Sequence, residues 1–264
     1  MTLEDKYWFN KVKYRVLEGK DGIRYAYNCM ADLYDSSKYL YWTRKIETGE
    51  EKIIDKWIKK IDGICLDIGC GTGRYALKIA EKNIEVVALD ISKNMLKKML
   101  EKAEERNISN KIYSIIADGE MLPLRDKSFR SIICTLTFNH FMNPDNTAKE
   151  FSRVLKKNSI CIISSLNSYT LKYFQNKYGF GDRVPFRTEK MFPVLIYEKG
   201  YSVDEFKKIF LKYGFKVKDL KGTCYWHLLP AGLFIYYPQI LELFFNLFKN
   251  LLRYAEAHVM LLYY

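Results

Sequence analysis

Residues 66–80 read LDIGCGTGRYALKIA, with Gly69, Gly71 and Gly73 at alternate positions between an apolar run and a helix-like pattern. A turn so bare lets a ligand meet backbone N–H groups directly, which suits a phosphate or a carboxylate. The dinucleotide fingerprint wants its third glycine one place later, where this chain has Arg74, so a pyrophosphate cradle is disfavoured. Asp90 closes the next strand-like run, EVVALD. A carboxylate there accepts from both hydroxyls of a ribose and repels a 2′-phosphate. Its competing use is to cap the following helix, but Ser92 fills that role better. The histidines (140, 227 and 258) lie far apart and the six cysteines include no C-x-x-C pair, so neither a zinc site nor a disulfide scaffold is expected.

The elements that must position these residues alternate from about residue 50 onward. Helical EEKIIDKWIKKI leads to strand ICLDIG, helix 73–82, strand EVVALD, helix 93–106, and strands KIYSIIAD and SIICTLT. Helix 145–157 and strand SICIISS follow. Repeats of this length imply parallel pairing with right-handed crossovers, hence a doubly wound α/β sheet. In such a sheet ligands sit beyond the carboxyl ends of the strands at the switch point, and the glycine turn lies there. Ser202 with Glu205 forms a capping box for helix VDEFKKIFLKYG, and Gly214 ends it. FKVKDLKG and HVMLLYY read as two last strands, and their separation permits an antiparallel edge pair.

With these motifs in order, the chain resembles the class I S-adenosylmethionine-dependent methyltransferases. Within them it is most similar to the type 11 small-molecule group that includes quinone C-methyltransferases. The resemblance runs over about residues 55–165 and rests on LDIGCGTG, ALDISKNML, ADGEMLPLRDKSF, NHF and EFSRVLKK. It implies a mostly parallel seven-stranded Rossmann-like sheet with an antiparallel last strand, an N-terminal helical lid and an insertion after the fifth strand. It implies S-adenosyl-L-methionine as cofactor and no metal. Asp67 with Gly69, Cys70, Gly71 and Gly73 would hold the methionine part, Asp90 with Ile91 and Met95 the ribose side. Asp118 would meet the adenine amino group beside Gly119 and Glu120, and Thr135 and Leu136 would line the strand end near the sulfonium. The chain departs from the family at Arg130, where aspartate is usual, and at KKNSI, which replaces a Lys-Pro-Gly-Gly turn; Asn158 can take the left-handed conformation a glycine would supply.

Methyl transfer from a sulfonium is a one-step displacement in which positioning supplies much of the rate. A base helps if the acceptor is a phenol, enol or activated carbon, and His140 is the best placed candidate, with packing at the strand end as its other use. Tyr27 and Tyr34, on the lid, are weaker candidates whose spacing also suits a buried helix face. The segments outside the resemblance bear on the acceptor. A single domain is expected, with a cap over 1–50, the cofactor core over 51–167, a substrate-cap insertion over 168–200 and a C-terminal part over 201–264. Aromatic-rich caps suggest an apolar or planar acceptor, although the insertion can equally extend the core.

Composition bounds the partners. The 264 residues are 48% hydrophobic, enough to bury a large core, so disorder is not expected. The formal net charge of +12 admits nucleic acid, but lysines interleaved with glutamates, as in KKMLEKAEER, read as a solvated helix face and leave RNA disfavoured. No appended RNA-binding module or N-P-P-Y motif is seen; Asn143-Pro144-Asp145 is not that motif. A non-catalytic partner of another methyltransferase stays open, as does the oligomeric state. Lys6, Lys11, Lys13 and Arg15 interrupt every early apolar run, so a cytoplasmic protein is expected. ILELFFNLFKNLLR (240–253) places its polar residues on one helical stripe, and its apolar face is expected to meet the core first and a membrane surface second. The preceding uncharged stretch carries two prolines, so no transmembrane segment is expected.

Overall fold

The computed structural model describes residues 12–36, 41–188, 191–224, 252–253 and 255–264. Apolar runs become the inner strands of a seven-stranded sheet: β2 (Cys65–Ile68), β3 (Val86–Asp90), β4 (Ile112–Ile116), β5 (Phe129–Cys134) and β6 (Leu155–Leu166). With β9 (Lys216–Thr223) and β10 (Ala257–Tyr263) the order is β4-β3-β2-β5-β6-β10-β9. The first five are parallel neighbours, and the order reverses between β2 and β5. The glycine turn therefore leaves β2 at the switch point.

The last two strands form the expected antiparallel pair at one edge of the sheet. β10 runs antiparallel to both neighbours and is inserted between β6 and β9. The reason is compositional: Val259 to Leu262 are apolar and buried on both faces, which suits an interior strand. β9, KVKDLKGT, alternates charge and apolar residues and takes the edge.

Helices cover both faces. On one, Ile54, Trp57 and Ile58 of α2 (Tyr41–Ile58) join Leu77 and Ile79 of α3 (Arg74–Ala80) and Met99 of α4 (Lys93–Glu105) over Val86, Ala88 and Ile162. On the other, Phe151 of α5 (Pro144–Val154) meets Phe206 and Phe210 of α7 (Val203–Leu211) in an aromatic cluster with Phe138 and Tyr201. The caps anticipated from sequence form: Ser92 Oγ accepts from Met95 N–H at 3.2 Å and Ser202 Oγ from Glu205 N–H at 3.2 Å. The helix expected over 145–157 stops at Val154. Leu155 already pairs with Phe129, and a register shift in that pairing accompanies Asn158 at φ +60°.

A second small sheet was not anticipated. After α6 (Ser168–Tyr178), β7 (Arg183–Thr188) and β8 (Met191–Tyr197) form a hairpin, and β1 (Arg15–Val16) adds to β8 in parallel. The insertion and the N-terminal segment thus share one core, in which Ala26 of α1 (Gly19–Met30) packs with Leu171, Val184, Val194 and Ile196. Among the described residues no helix is long and apolar enough to cross a membrane. The amphipathic stripe expected over 240–253 lies outside the described residues except for Leu252 and Arg253.

Candidate active site

A cavity of about 310 Å³ opens at the switch point, between the carboxyl ends of the strands and α1. The side of the glycine turn is formed by Asp67, Gly69, Cys70 and Gly71, and the next strand end by Asp90, Ile91 and Met95. Asp118, Gly119, Glu120, Thr135, Leu136 and His140 complete the expected set. Gly73 stands apart from the cavity wall; it is the left-handed residue, φ +89°, that turns the chain into α3.

The turn is bare for two different reasons. A Cβ on Gly69 would lie 2.1 Å from Thr137 Cγ2, so this position is filled by protein. At Gly71, φ +54°, nothing lies within 4 Å of that position, so the backbone faces open space in the cavity. Asp90 pins this stretch: one carboxylate oxygen accepts from Gly71 N–H at 2.8 Å and the other from Ser92 N–H at 2.8 Å. Burial pushes the Asp90 carboxyl up, against the pull of those two N–H donors. Asp67 is pushed up to about 7 by burial, opposed by the Ala76 N–H, with the Asp90 charge adding to the rise. Leu136 takes φ +50°, costly for a branched side chain, and its N–H is held by Ser164 Oγ at 2.9 Å.

α1 borders the cavity opposite the strand ends, and polar contacts tie it to the sheet domain. Lys20 pairs with Asp118 and, at 3.2 Å, with Glu120. Tyr27 Oη lies 2.7 Å from His140 Nε2. Asn28 Oδ1 accepts from Ser92 Oγ at 2.8 Å and from Asn94 N–H at 3.1 Å, and Asp35 accepts from Thr72 Oγ1 at 2.9 Å. Lys20, Ile23, Thr72, Thr137 and Phe141 line the cavity without having been anticipated. Lys20, Ile23 and Tyr27 follow the i, i+3, i+7 spacing of one helix face, a signal that the sequence did carry.

Beneath the turn, Arg74 pairs with Glu47 and lies 3.8 Å from Glu50, whose side chain is fully buried. Burial pushes Glu50 from 4.5 up to about 7, and Arg74 and Ser164 only partly offset it. A carboxyl raised on folding stabilises the native state below its unfolded value and loses that contribution as pH rises through the folded one. On this account stability falls by about 2–3 kcal/mol between pH 4.5 and pH 8, with Asp67 acting in the same sense. Urea titrations at the two pH values should show Glu50→Gln flattening this decline; an unchanged slope would remove Glu50 as its source.

The chemistry of this wall fits a ligand carrying an ammonium, a vicinal diol and an adenine amino group, since Asp67, Asp90 and Asp118 offer acceptors in sequence along it. A methyltransferase domain family model of type 11 matches residues 66–163. An uncharacterized protein of Methanocaldococcus jannaschii is 36% identical over 154 residues, 58% of this chain and 55% of its own, so the match spans about half of that relative. The ubiquinone/menaquinone biosynthesis C-methyltransferase UbiE of Geotalea uraniireducens is 27% identical over 77% of this chain and 92% of its own. Among solved structures, the PH0226 protein of Pyrococcus horikoshii aligns with TM-score 0.60 at 19% identity, over 87% of this chain and 94% of that one. The [4+2]-cyclase SpnF aligns with TM-score 0.63 at 16% identity, over 95% and 98%, and these likenesses speak for the fold. Residues 66–163 thus match a type 11 methyltransferase domain, and the chain around them is similar to S-adenosylmethionine-dependent methyltransferases in fold.

Proposed function

We propose that the protein transfers a methyl group from S-adenosyl-L-methionine to a small, planar or apolar acceptor held beneath α1 and the 168–200 insertion. The observation that carries this reading is one cavity with two characters: a carboxylate-lined wall along the strand ends, and Ile23, Tyr27 and Tyr34 contributed by α1 and the turn after it. The cofactor, when bound, supplies an electrophilic methyl on a sulfonium. Gly71 would leave its backbone open to the amino-acid end, Asp67 would hold the ammonium, Asp90 the ribose diol and Asp118 the adenine amino group. Thr135 and Leu136, in the lining at the end of β5, would border the reacting centre, and α1 would help to exclude water from it. His140, in the same wall, accepts the proton that the acceptor gives up.

An RNA acceptor would need free cations around the cavity mouth. Five cations line it, and each is engaged: Lys20 with Asp118, Arg74 with Glu47, Lys78 with Asp55 at 3.0 Å, Lys102 with Asp35 and Arg106 with Glu81 at 2.8 Å. The net charge of +12 therefore gives the RNA reading no support at this site.

The test is incubation of the full chain with methyl-labelled cofactor and cell extract, followed by counting of label in organic-soluble, water-soluble, RNA and protein fractions. Label in the organic or small-molecule fraction is expected. Label in RNA would overturn the acceptor class, and cofactor binding without any transfer would point to a non-catalytic partner subunit.

A further inference from the structure

His140 is met by two segments that lie far apart in sequence. From α1, Tyr27 places its hydroxyl 2.7 Å from Nε2. From the end of β8, the Tyr197 carbonyl lies 3.0 Å from Nδ1, and the Glu198 carboxylate just beyond it lies 3.7 Å from Nε2. A carbonyl oxygen only accepts, so it fixes the imidazole proton on Nδ1 and leaves the Nε2 lone pair to the Tyr27 hydroxyl. Glu198 is too distant for a hydrogen bond and acts on the ring as a charge. Asp90, at the end of β3, also acts on the imidazole as a charge.

Tyr27 and His140 line the cavity, whereas Glu198 stands behind them. Burial pushes the Tyr27 phenol well above its ordinary range, so it stays protonated, and its oxygen keeps lone pairs for a ligand. Burial also raises Glu198, against the pull of His140. Around Tyr27, Phe186 at 5.3 Å and Tyr34 at 6.2 Å between ring centroids make an aromatic surround that suits a flat ring.

We infer that Tyr27, His140 and Glu198 form a proton-accepting relay for an acceptor that must lose a hydroxyl proton, a phenol or a ring enol. The inference rests on the reading of the cavity as a cofactor and acceptor site. The acceptor proton passes to the Tyr27 oxygen as the Tyr27 proton passes to Nε2. The acceptor oxygen, or the ring carbon conjugated to it, forms its bond to the methyl carbon as the carbon–sulfur bond breaks with its electron pair on sulfur. The imidazolium, facing Glu198, returns its proton to water once product leaves. Tyr27 touches the acceptor; Glu198 is a positioning residue that favours the charged ring. A thiol acceptor ionises near neutrality without such help, and an amine sheds its proton after transfer, so neither needs this arrangement.

The experiment uses 4-nitrophenol, whose phenolate absorbs at longer wavelength than the phenol, bound to the full chain loaded with S-adenosylhomocysteine. In the wild type the bound probe is expected to ionise at lower pH than free probe. Glu198→Gln is expected to shift that midpoint upward about tenfold in proton concentration, and Tyr27→Phe to return it to the free value, with S-adenosylhomocysteine affinity unchanged in both. A midpoint identical in wild type and Glu198→Gln would overturn the relay, as would failure of the loaded protein to bind the probe. Failure of the wild type to bind S-adenosylhomocysteine would overturn the cofactor reading, and the relay with it.

Discussion

Asp90→Ala is expected to weaken S-adenosylhomocysteine binding by roughly a hundredfold or more while the protein stays folded. The carboxylate does two jobs. It fixes the turn by accepting from Gly71 N–H and Ser92 N–H, and it is the acceptor proposed for the ribose diol. Hydrogen bonds to a charged group contribute about 1.5–3 kcal/mol each, so loss of a bidentate diol contact alone costs about 3 kcal/mol or more. The unsatisfied N–H groups add to that cost. The strand and helix on either side rest on Ala88, Leu89, Met95 and Leu96, all buried, so circular dichroism should show the fold retained. Asp90→Asn should bind with intermediate affinity, because an amide oxygen replaces one acceptor only. Equal affinity of wild type and Asp90→Ala in calorimetry would remove Asp90 from the site.

His140→Gln should lower turnover on a hydroxyl acceptor by about a hundredfold or more, in the range of a lost general base, with little change in cofactor affinity. Glutamine can still meet the Tyr197 carbonyl and the Tyr27 hydroxyl, so packing at the strand end is preserved. What it lacks is a ring nitrogen with a lone pair that can accept a proton. If His140 served only to pack and hydrogen-bond, the substitution would leave kcat within a few fold of the wild type. Measuring kcat and KM separately with saturating cofactor distinguishes the two roles.

The sheet was legible because its strands are written as short apolar runs, ICLDIG, EVVALD and SICIISS, separated by helix-length amphipathic stretches with caps such as Ser92 and Ser202. The cofactor wall was legible for a related reason. Its residues sit at strand ends, where local sequence fixes position: Gly69 and Gly71 follow β2, Asp90 ends β3, and Asp118 lies two residues beyond β4. The hairpin of β7 and β8 was not. RVPFRT and MFPVLIY each carry a proline, which weakens the strand signal, and what makes them strands is pairing with each other and with Arg15–Val16, far away in sequence. The partners of His140 were hidden for the same reason. No periodicity in the sequence brings Tyr27, Tyr197 and Glu198 to one imidazole.

The manner in which α1 is held has a kinetic consequence. Its apolar side packs on the hairpin and α6, with Met30 and Ala31 on Met95 as a small apolar footing on the cofactor core. The remaining ties to that core are polar, and several are ionic: Lys20 to Asp118 and Glu120, Asp32 to Lys98 at 3.1 Å and Asp35 to Lys102. Such ties exchange readily with water and weaken as mobile ions crowd the surface. Ionic strength should therefore act as a throttle on catalysis, hastening release of spent cofactor at moderate salt and eroding retention of fresh cofactor at high salt. Turnover plotted against salt should pass through a maximum while the melting temperature of the sheet barely moves.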